Sequence, residues 1–407
     1  MAGHRSPRLD LARLLSAVED APPVAAADVL GEQLADTLGA TDVAFLIADF
    51  SGEALIRLGQ SGSDGGRSRR SEAAQRVSLS EAPYGRVLAG QQPEVVHGDD
   101  GVRVVAPVTN RGEAIGVLEL LLPWTPDKNA LADIALAAHA LAYLVIANRR
   151  FTDLFEWGQR SVPLSLAAEI QHRLLPESST CEAGQFTLAG WLEPAGDVAG
   201  DTFDFSLERD TVHLSLTDAM GHDVEAAVLA TVLVGALRNG RRAGMALGEQ
   251  AAAGSAGLRD HAKHGGFVTG QLVRIDLARG AATIVNAGHP RPLRLRGGTV
   301  ESLELHADPP FGAVETYAYR VQELLLEPGD RIFFLTDGVL DRNPAGARIA
   351  DLIMASADEH PREAVQQLMA AVREAVDGEL RDDATALCVD WHGGREPDRH
   401  TSGGANR

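Results

Sequence analysis

Two periodicities run along this chain. Val212, Leu214 and Leu216 alternate with Thr211, His213, Ser215 and Thr217, a two-residue period that predicts a strand with one buried face. After a turn at Met220-Gly221, GHDVEAAVLATVLVGALR is rich in alanine and leucine over helical length and predicts a helix. Arg331 to Leu335 predicts a short apolar strand running into Thr336-Asp337-Gly338, where glycine permits a sharp turn. Val365, Leu368, Met369, Val372 and Val376 share one face of a helix expected between Pro361 and Gly378, and read as core.

Upstream, Val24 to Leu122 predicts a helix and then the short strands GATDVAFLIADF, GEALIRLG, VRVVAPVTN and EAIGVLELLLP, with the polar stretch SGSDGGRSRRSE between them, the pattern of an α/β domain. Thr125-Pro126-Asp127 marks a helix start. Leu131, Ile134, Ala138, Leu141, Val145, Asn148, Thr152 and Phe155 then follow at alternating spacings of three and four. That heptad spacing has two readings: a parallel helix pair in a homodimer, with polar Asn148 fixing register, or packing of the helix on its own domain. Pro163 opens a further helix, where Leu166, Ile170 and Leu174 recur every four residues and are expected to face a sheet. The expected organisation is an extension over 1–23, an α/β domain over 24–124, a helical linker over 125–162, a larger domain over 163–391 and a disordered tail over 392–407 that lacks apolar residues after Trp391.

Candidate chemistry lies in the larger domain. Asp201 in VAGDTFDF, Asp218 in LSLTDAMGH, Asp337 in FFLTDGVLD, and Asp382 and Asp383 in RDDATALCVD each fall where a strand is predicted to end. Any one of them alone reads as a turn or cap residue. Together they suggest carboxylates gathered at loop mouths, a donor set suited to hard divalent cations such as Mg²⁺ and Mn²⁺, which prefer oxygen ligands and retain waters. In NAGHPRPLRL, Asn286 and His289 flank a glycine; His289 reads either as an acid or donor near the cleft or, with Asn286, as a brace of the turn, and bracing is the favoured reading. His222 reads as a substrate contact or as a helix cap.

The order IQHRLLP, GDVAGDTFDF, TDAMGHDVEAA, FVTGQLVRIDLARG, NAGHPRPLRL, LEPGDRIFFLTDGVLD, RDDATALCVD resembles the metal-dependent PPM-type serine/threonine phosphatases, in their SpoIIE-like, RsbU-like branch, over about residues 163–391. The resemblance implies an α+β fold, a β-sandwich flanked by helices, with two Mn²⁺ or Mg²⁺ ions in a cleft above it. It implies that Asp201 contributes to the pair, that Asp218 bridges both ions with the Ala219 carbonyl as a further ligand, and that Asp337 holds the second. In the last segment it implies Asp382, with Asp383 the candidate if the register differs by one. The chain departs from the family pattern at Ala199, often glycine, at Thr202, often aromatic, and at Ala219, glycine in some branches. A carbonyl ligand does not require glycine, and the acids are all present. The hairpin VRVVAPVTNRGEAIGVLELLLP resembles the end of a GAF domain, implying a sensor with no Cys or His arrangement that nominates haem or a bilin.

Composition narrows the partners. Formal charge is 37 − 57 = −20, which argues against nucleic acid and against an anionic membrane surface. Cys181 and Cys388 are too few and too far apart for a disulfide framework, so a reducing cytoplasm is expected. Charges interrupt MAGHRSPRLDLARLL, which does not read as a secretory signal, and Asp133 and His139 interrupt ALADIALAAHALAYLVIA, which reads as soluble helix more readily than as a membrane span. The expected function is hydrolysis of phosphoserine or phosphothreonine on a regulatory protein by a metal-activated water; for this branch the resemblance implies an anti-sigma-factor antagonist as substrate. The competing readings are a non-catalytic phosphoprotein-binding regulator on the same fold and a ligand sensor whose C-terminal domain is only an output.

Overall fold

The computed structural model describes residues 9–58, 75–160, 164–195, 200–221, 223–261, 266–340, 348–376 and 380–393. The chain divides into two compact units, one up to Pro163 and one from Leu164 to Arg399.

In the first unit the Asp10 side chain accepts from Arg13 N–H and opens helix α1 (Leu11–Glu19), followed by α2 (Ala26–Leu38). Strands β1 (Asp42–Ala48), β2 (Ala54–Arg57) and β3 (Gln75–Ser78), helix α3 (Tyr84–Gly90), and strands β4 (Glu94–Gly98), β5 (Gly101–Asn110) and β6 (Glu113–Leu122) come next. Helix α4 (Lys128–Asn148) starts where Asp127 accepts from Ala130 N–H, and α5 (Leu154–Gln159) ends the unit. The sheet order is β3-β2-β1-β6-β5-β4. Its pairs are antiparallel, which corrects the α/β expectation to an antiparallel sheet of two three-stranded runs joined through β1 and β6, with helices packed on it. Residues 9–19 are not an extension, because Leu14 is buried in this unit's core.

The heptad positions of α4 are spent inside that core. Ile134, Ala138, Leu141 and Val145 are at most 3% exposed and pack with Leu30, Leu34, Val104, Leu118 and Leu120. Asn148 donates to the Leu144 carbonyl of its own helix, and Thr152 accepts from Leu154 N–H, so neither sets a register with a partner. The dimer-seam reading of these positions is therefore corrected: α4 belongs to the first unit and is no free linker. By length and composition Lys128–Phe151 could cross a membrane, yet its inner face is the unit's core. Leu141→Glu is expected to cost about 3 kcal/mol or more of first-unit stability, by burying an unpaired charge. A melting curve equal to the parent's, with a changed oligomeric state by light scattering, would restore the seam.

The second unit begins with α6 (Leu166–Leu174), capped by Ser165 on Ala168 N–H. Then come β7 (Thr180–Glu182), β8 (Phe186–Glu193), β9 (Asp201–Leu207), β10 (Thr211–Ala219), α7 (Asp223–Arg242), α8 (Leu247–His261), β11 (Val268–Asp276), β12 (Ala281–Ala287), β13 (Leu293–Arg296) and β14 (Thr299–Ser302). The chain closes with β15 (Gln322–Leu325), β16 (Asp330–Leu335), α9 (Asp337–Leu340), α10 (Ile349–Ala355), α11 (Pro361–Glu374) and β17 (Ala384–Trp391). Two sheets result, β15-β12-β11-β10-β9 and β14-β13-β16-β17-β8-β7.

Alternation decides which residues lie between them. Val212, Leu214 and Leu216 of β10 meet Ile332 and Phe334 of β16 and Leu387, Val389 and Trp391 of β17 in one core. The opposite phase of β16 and β17, including Phe333, Leu335, Ala386 and Cys388, packs under α10 and α11, where Val365, Leu368, Met369 and Val372 lie; Val376 falls past the end of α11. Helices α7 and α8 cover the other sheet through Ala226, Ala230, Leu233 and Leu258. The arrangement is helix, sheet, sheet, helix. One expectation fails here: Leu166 is 66% exposed, and α6 buries Ala167, Ala168 and Gln171 instead of a four-residue leucine stripe. Pro163 and the segment after His392-Gly393 lie outside the described residues.

Candidate active site

Strands β9, β10, β11, β16 and β17 carry the inward phase of the sandwich core further, into a polar layer. On β10 the residue after Leu216 in that phase is Asp218; on β9 the residue before Phe203 is Asp201; and the two are cross-strand partners. Thr269 of β11 pairs with Asp218 on the other side. Asp201, Asp218 and Thr269 thus form a row on one face of one sheet. On the facing sheet the inward phase of β16 leads from Phe334 to Thr336, and that of β17 leads back from Leu387 to Thr385 and Asp383.

The two sheets are tied through this layer. Asp201 Oδ2 accepts from Thr336 Oγ1 at 2.8 Å and from Thr385 Oγ1 at 2.6 Å, and Thr385 N–H donates to Thr336 Oγ1 at 3.0 Å. Asp383 is buried, and both of its oxygens serve the protein: Oδ1 accepts from Ala195 N–H at 2.9 Å, and Oδ2 from Gly200 N–H at 3.1 Å and Gln171 Nε2 at 2.6 Å. The same Gln171 amide donates to the Asp201 carbonyl at 2.8 Å. Burial, then the charges of Asp218 and Asp383, holds the Asp201 carboxyl well above the usual carboxylate range, against the two threonine hydroxyls. Burial likewise raises Asp383, opposed by its N–H donors.

Asp218, Asp337 and Asp382 are half-buried at the rim of the layer, while Asp201 and Asp383 are inside it. Asp337 is the first residue of α9, and the next residue, Gly338, lies against the Asp383 backbone so closely that a Cβ there would collide with the Asp383 carbonyl. A Cβ on Gly200 would lie 2.6 Å from the Ala219 carbonyl oxygen, so that close approach also requires glycine. Ala219 N–H donates to the Gly200 carbonyl at 3.1 Å. The four acidic segments therefore adjoin one another at one end of the sandwich. Among the described residues, no three His, Cys, Asp or Glu side chains close on a single point as a ready metal cage.

The donors are nonetheless of one kind, carboxylates with a carbonyl beside them, and the repulsion that raises Asp201 is the sort a dication relieves. In this chemical sense the residues fit a hard divalent cation.

In the NAGH turn, Asn286 Oδ1 accepts from His289 N–H at 2.8 Å and Asn286 Nδ2 donates to the His289 carbonyl at 3.0 Å, the bracing arrangement. Burial pushes the His289 imidazole down to about 3, with the Leu335 backbone acting the other way, a shift that favours the neutral ring. His222 and Ala199 lie outside the described residues. Thr202, in place of an aromatic residue, is buried against the Thr217 hydroxyl of β10. Sequence reading passed over Gln171, Thr336, Thr385 and Thr269 as members of the site. The two-residue phase that places Asp218 also places the three threonines; nothing local marks Gln171.

Residues 208–392 match the stage II sporulation protein E (SpoIIE) family. The phosphoserine phosphatase RsbP of Bacillus subtilis (strain 168) is 23% identical over 236 residues, covering 56% of this chain and 57% of RsbP, so the chain spans little more than half the length of that relative. Among solved structures, the RsbU and RsbW domains of Rv1364c from Mycobacterium tuberculosis align at 24% identity and TM-score 0.46, over 54% of this chain and 62% of theirs. The SiaA-PP2C domain of Pseudomonas aeruginosa aligns at 22% identity and TM-score 0.45, over 50% of this chain and 84% of its own. The sandwich, the acidic strand ends and the match to the SpoIIE family fall in the same part of the chain, so it is to this family and to the phosphatase RsbP that the larger unit is similar.

Proposed function

We propose that the chain is a protein phosphatase that hydrolyses phosphoserine or phosphothreonine on a regulatory protein, and that its acid layer holds Mn²⁺ or Mg²⁺. The observation that carries this reading is the convergence of four acidic segments on one end of the sandwich, with Asp201 and Asp218 in register on one sheet and Gly338 of the Asp337 turn packed on the Asp383-Ala384 backbone of the other. The phosphoserine phosphatase activity in the name of RsbP supports the substrate class.

The residues proposed to hold the cations are Asp201, Asp218, Asp337 and Asp382, with the Ala219 carbonyl. Asp383 is assigned a supporting role, because its oxygens already hold the Ala195 and Gly200 N–H groups and Gln171 of α6. The chemistry the cations supply when bound is a more acidic water and neutralisation of phosphate charge. The chain's own part is positional. Thr336 and Thr385 fix the rotation of Asp201, and Asp383 holds the Gly200 N–H just ahead of β9. A phosphoserine brings about −1.5 to −2 charges to this acidic rim, so the layer by itself repels its substrate.

The proposed partner is a phosphorylated anti-sigma-factor antagonist, by the family resemblance, and the proposed compartment is the cytoplasm, where Cys181 and buried Cys388 stay thiols. The first unit is proposed as a GAF-like regulatory domain.

The test is phosphate release by the purified full chain from a phosphopeptide panel, with Mn²⁺, with Mg²⁺ and with chelator. Release with either cation and none with chelator is the expected result. Undiminished release after rigorous metal removal would sink the metal-dependent reading, and tight phosphopeptide binding with no release would establish the non-catalytic alternative.

A further inference from the structure

The row on β9, β10 and β11 has two ends. At one end, Asp201 is tied to the facing sheet through Thr336 and Thr385. At the other, Thr269 Oγ1 lies 2.9 Å from Nδ1 of His289, whose imidazole is buried. Nε2 of that ring has no partner at hydrogen-bonding geometry, although the Leu335 carbonyl is near enough to favour its protonation. Leu335 is the last residue of β16, and Thr336-Asp337 follow it directly.

Holding the turn does not account for this ring. Asn286 already binds both the N–H and the carbonyl of His289, and Gln271 Nε2 donates to the Pro290 carbonyl at 2.7 Å, so the loop backbone is secured without the imidazole. A buried polar atom left without a partner costs about 1–3 kcal/mol, and an apolar side chain of similar size would avoid that cost. Resting on the phosphatase reading, we propose that His289 is a positioning residue: through the Thr269 hydroxyl it fixes the strand end that pairs with Asp218, and so the place of that carboxylate in the acid layer.

Calorimetric titration of Mn²⁺ into the full chain tests this, beside melting curves and phosphate release. Thr269→Val removes only the hydroxyl, and His289→Leu keeps bulk without polarity. Each is expected to weaken Mn²⁺ binding by about tenfold or more, as loss of support to a ligand commonly does. The double variant should bind no more weakly than the weaker single, because both act through one contact. His289→Asn, which returns a polar atom near the Nδ1 position, should recover most of the affinity. Substrate KM at saturating Mn²⁺ should stay at the parent's value.

If both single variants bind Mn²⁺ like the parent and only melt earlier, His289 is a fold brace and the proposal is wrong. Should His289→Leu fail to fold, Thr269→Val decides by the same criterion. A parent chain that neither binds Mn²⁺ nor releases phosphate would overturn the proposed function, and this inference with it; a parent that does both, beside unaffected variants, overturns this inference alone.

Discussion

Asp218→Asn is expected to release phosphate at least about a hundredfold more slowly than the parent while melting at the same temperature or slightly higher. The rate falls because Asp218 occupies the middle of the row, between Asp201 and Thr269, so its carboxylate is the one placed to serve both ends of the acid layer. The fold persists because the side chain is only half-buried at the rim and the carboxamide has the same shape. In metal-free buffer the substitution also removes the neighbouring charge that, after burial, contributes most to the raised affinity of Asp201 for its proton. A correctly folded Asp218→Asn chain with a near-normal rate would exclude this residue from the site.

Asp382→Asn and Asp383→Asn should fail in different ways. At position 382 the expected loss is in rate, with little change in melting, since the side chain stands at the rim. At position 383 the carboxamide keeps one acceptor oxygen where two oxygens had served three N–H donors, and it turns its own N–H₂ toward at least one of them. One buried donor left unmet costs about 1–3 kcal/mol, which for a unit of this size lowers melting by on the order of 5 °C. The Ala195 and Gly200 N–H groups should then become more open to hydrogen exchange. If Asp383→Asn melts like the parent and loses only activity, the supporting role assigned to Asp383 is wrong and it rejoins the candidate ligands.

Much of this was legible in the sequence because the governing pattern is local. The alternation in Val212, Leu214 and Leu216 carries forward to Asp218, and Leu387 and Val389 carry back to Thr385 and Asp383, so strand phase alone could have separated Asp383 from Asp382. The heptad of α4 misled for a related reason: spacing shows that a helix has an apolar face, but not whether its own sheet or another chain covers it, and here the sheet does. Leu166 misled because α6 lies against α7 through Ala167 and Ile170, and close helix contact favours the small side chain over the large one. Gln171 could not have been found, since its partners are 30 and 212 residues away.

The continuation of the sandwich core into the acid layer makes folding and the proposed site answer to the same parity. A one-residue deletion between Leu214 and Asp218 would leave either the apolar positions or the acid on the wrong face, because a shift by one exchanges the two sides of a strand. Errors of register in this chain are therefore not graded. They surrender core and acid layer together, so a chain out of register retains neither the packing nor the gathered carboxylates.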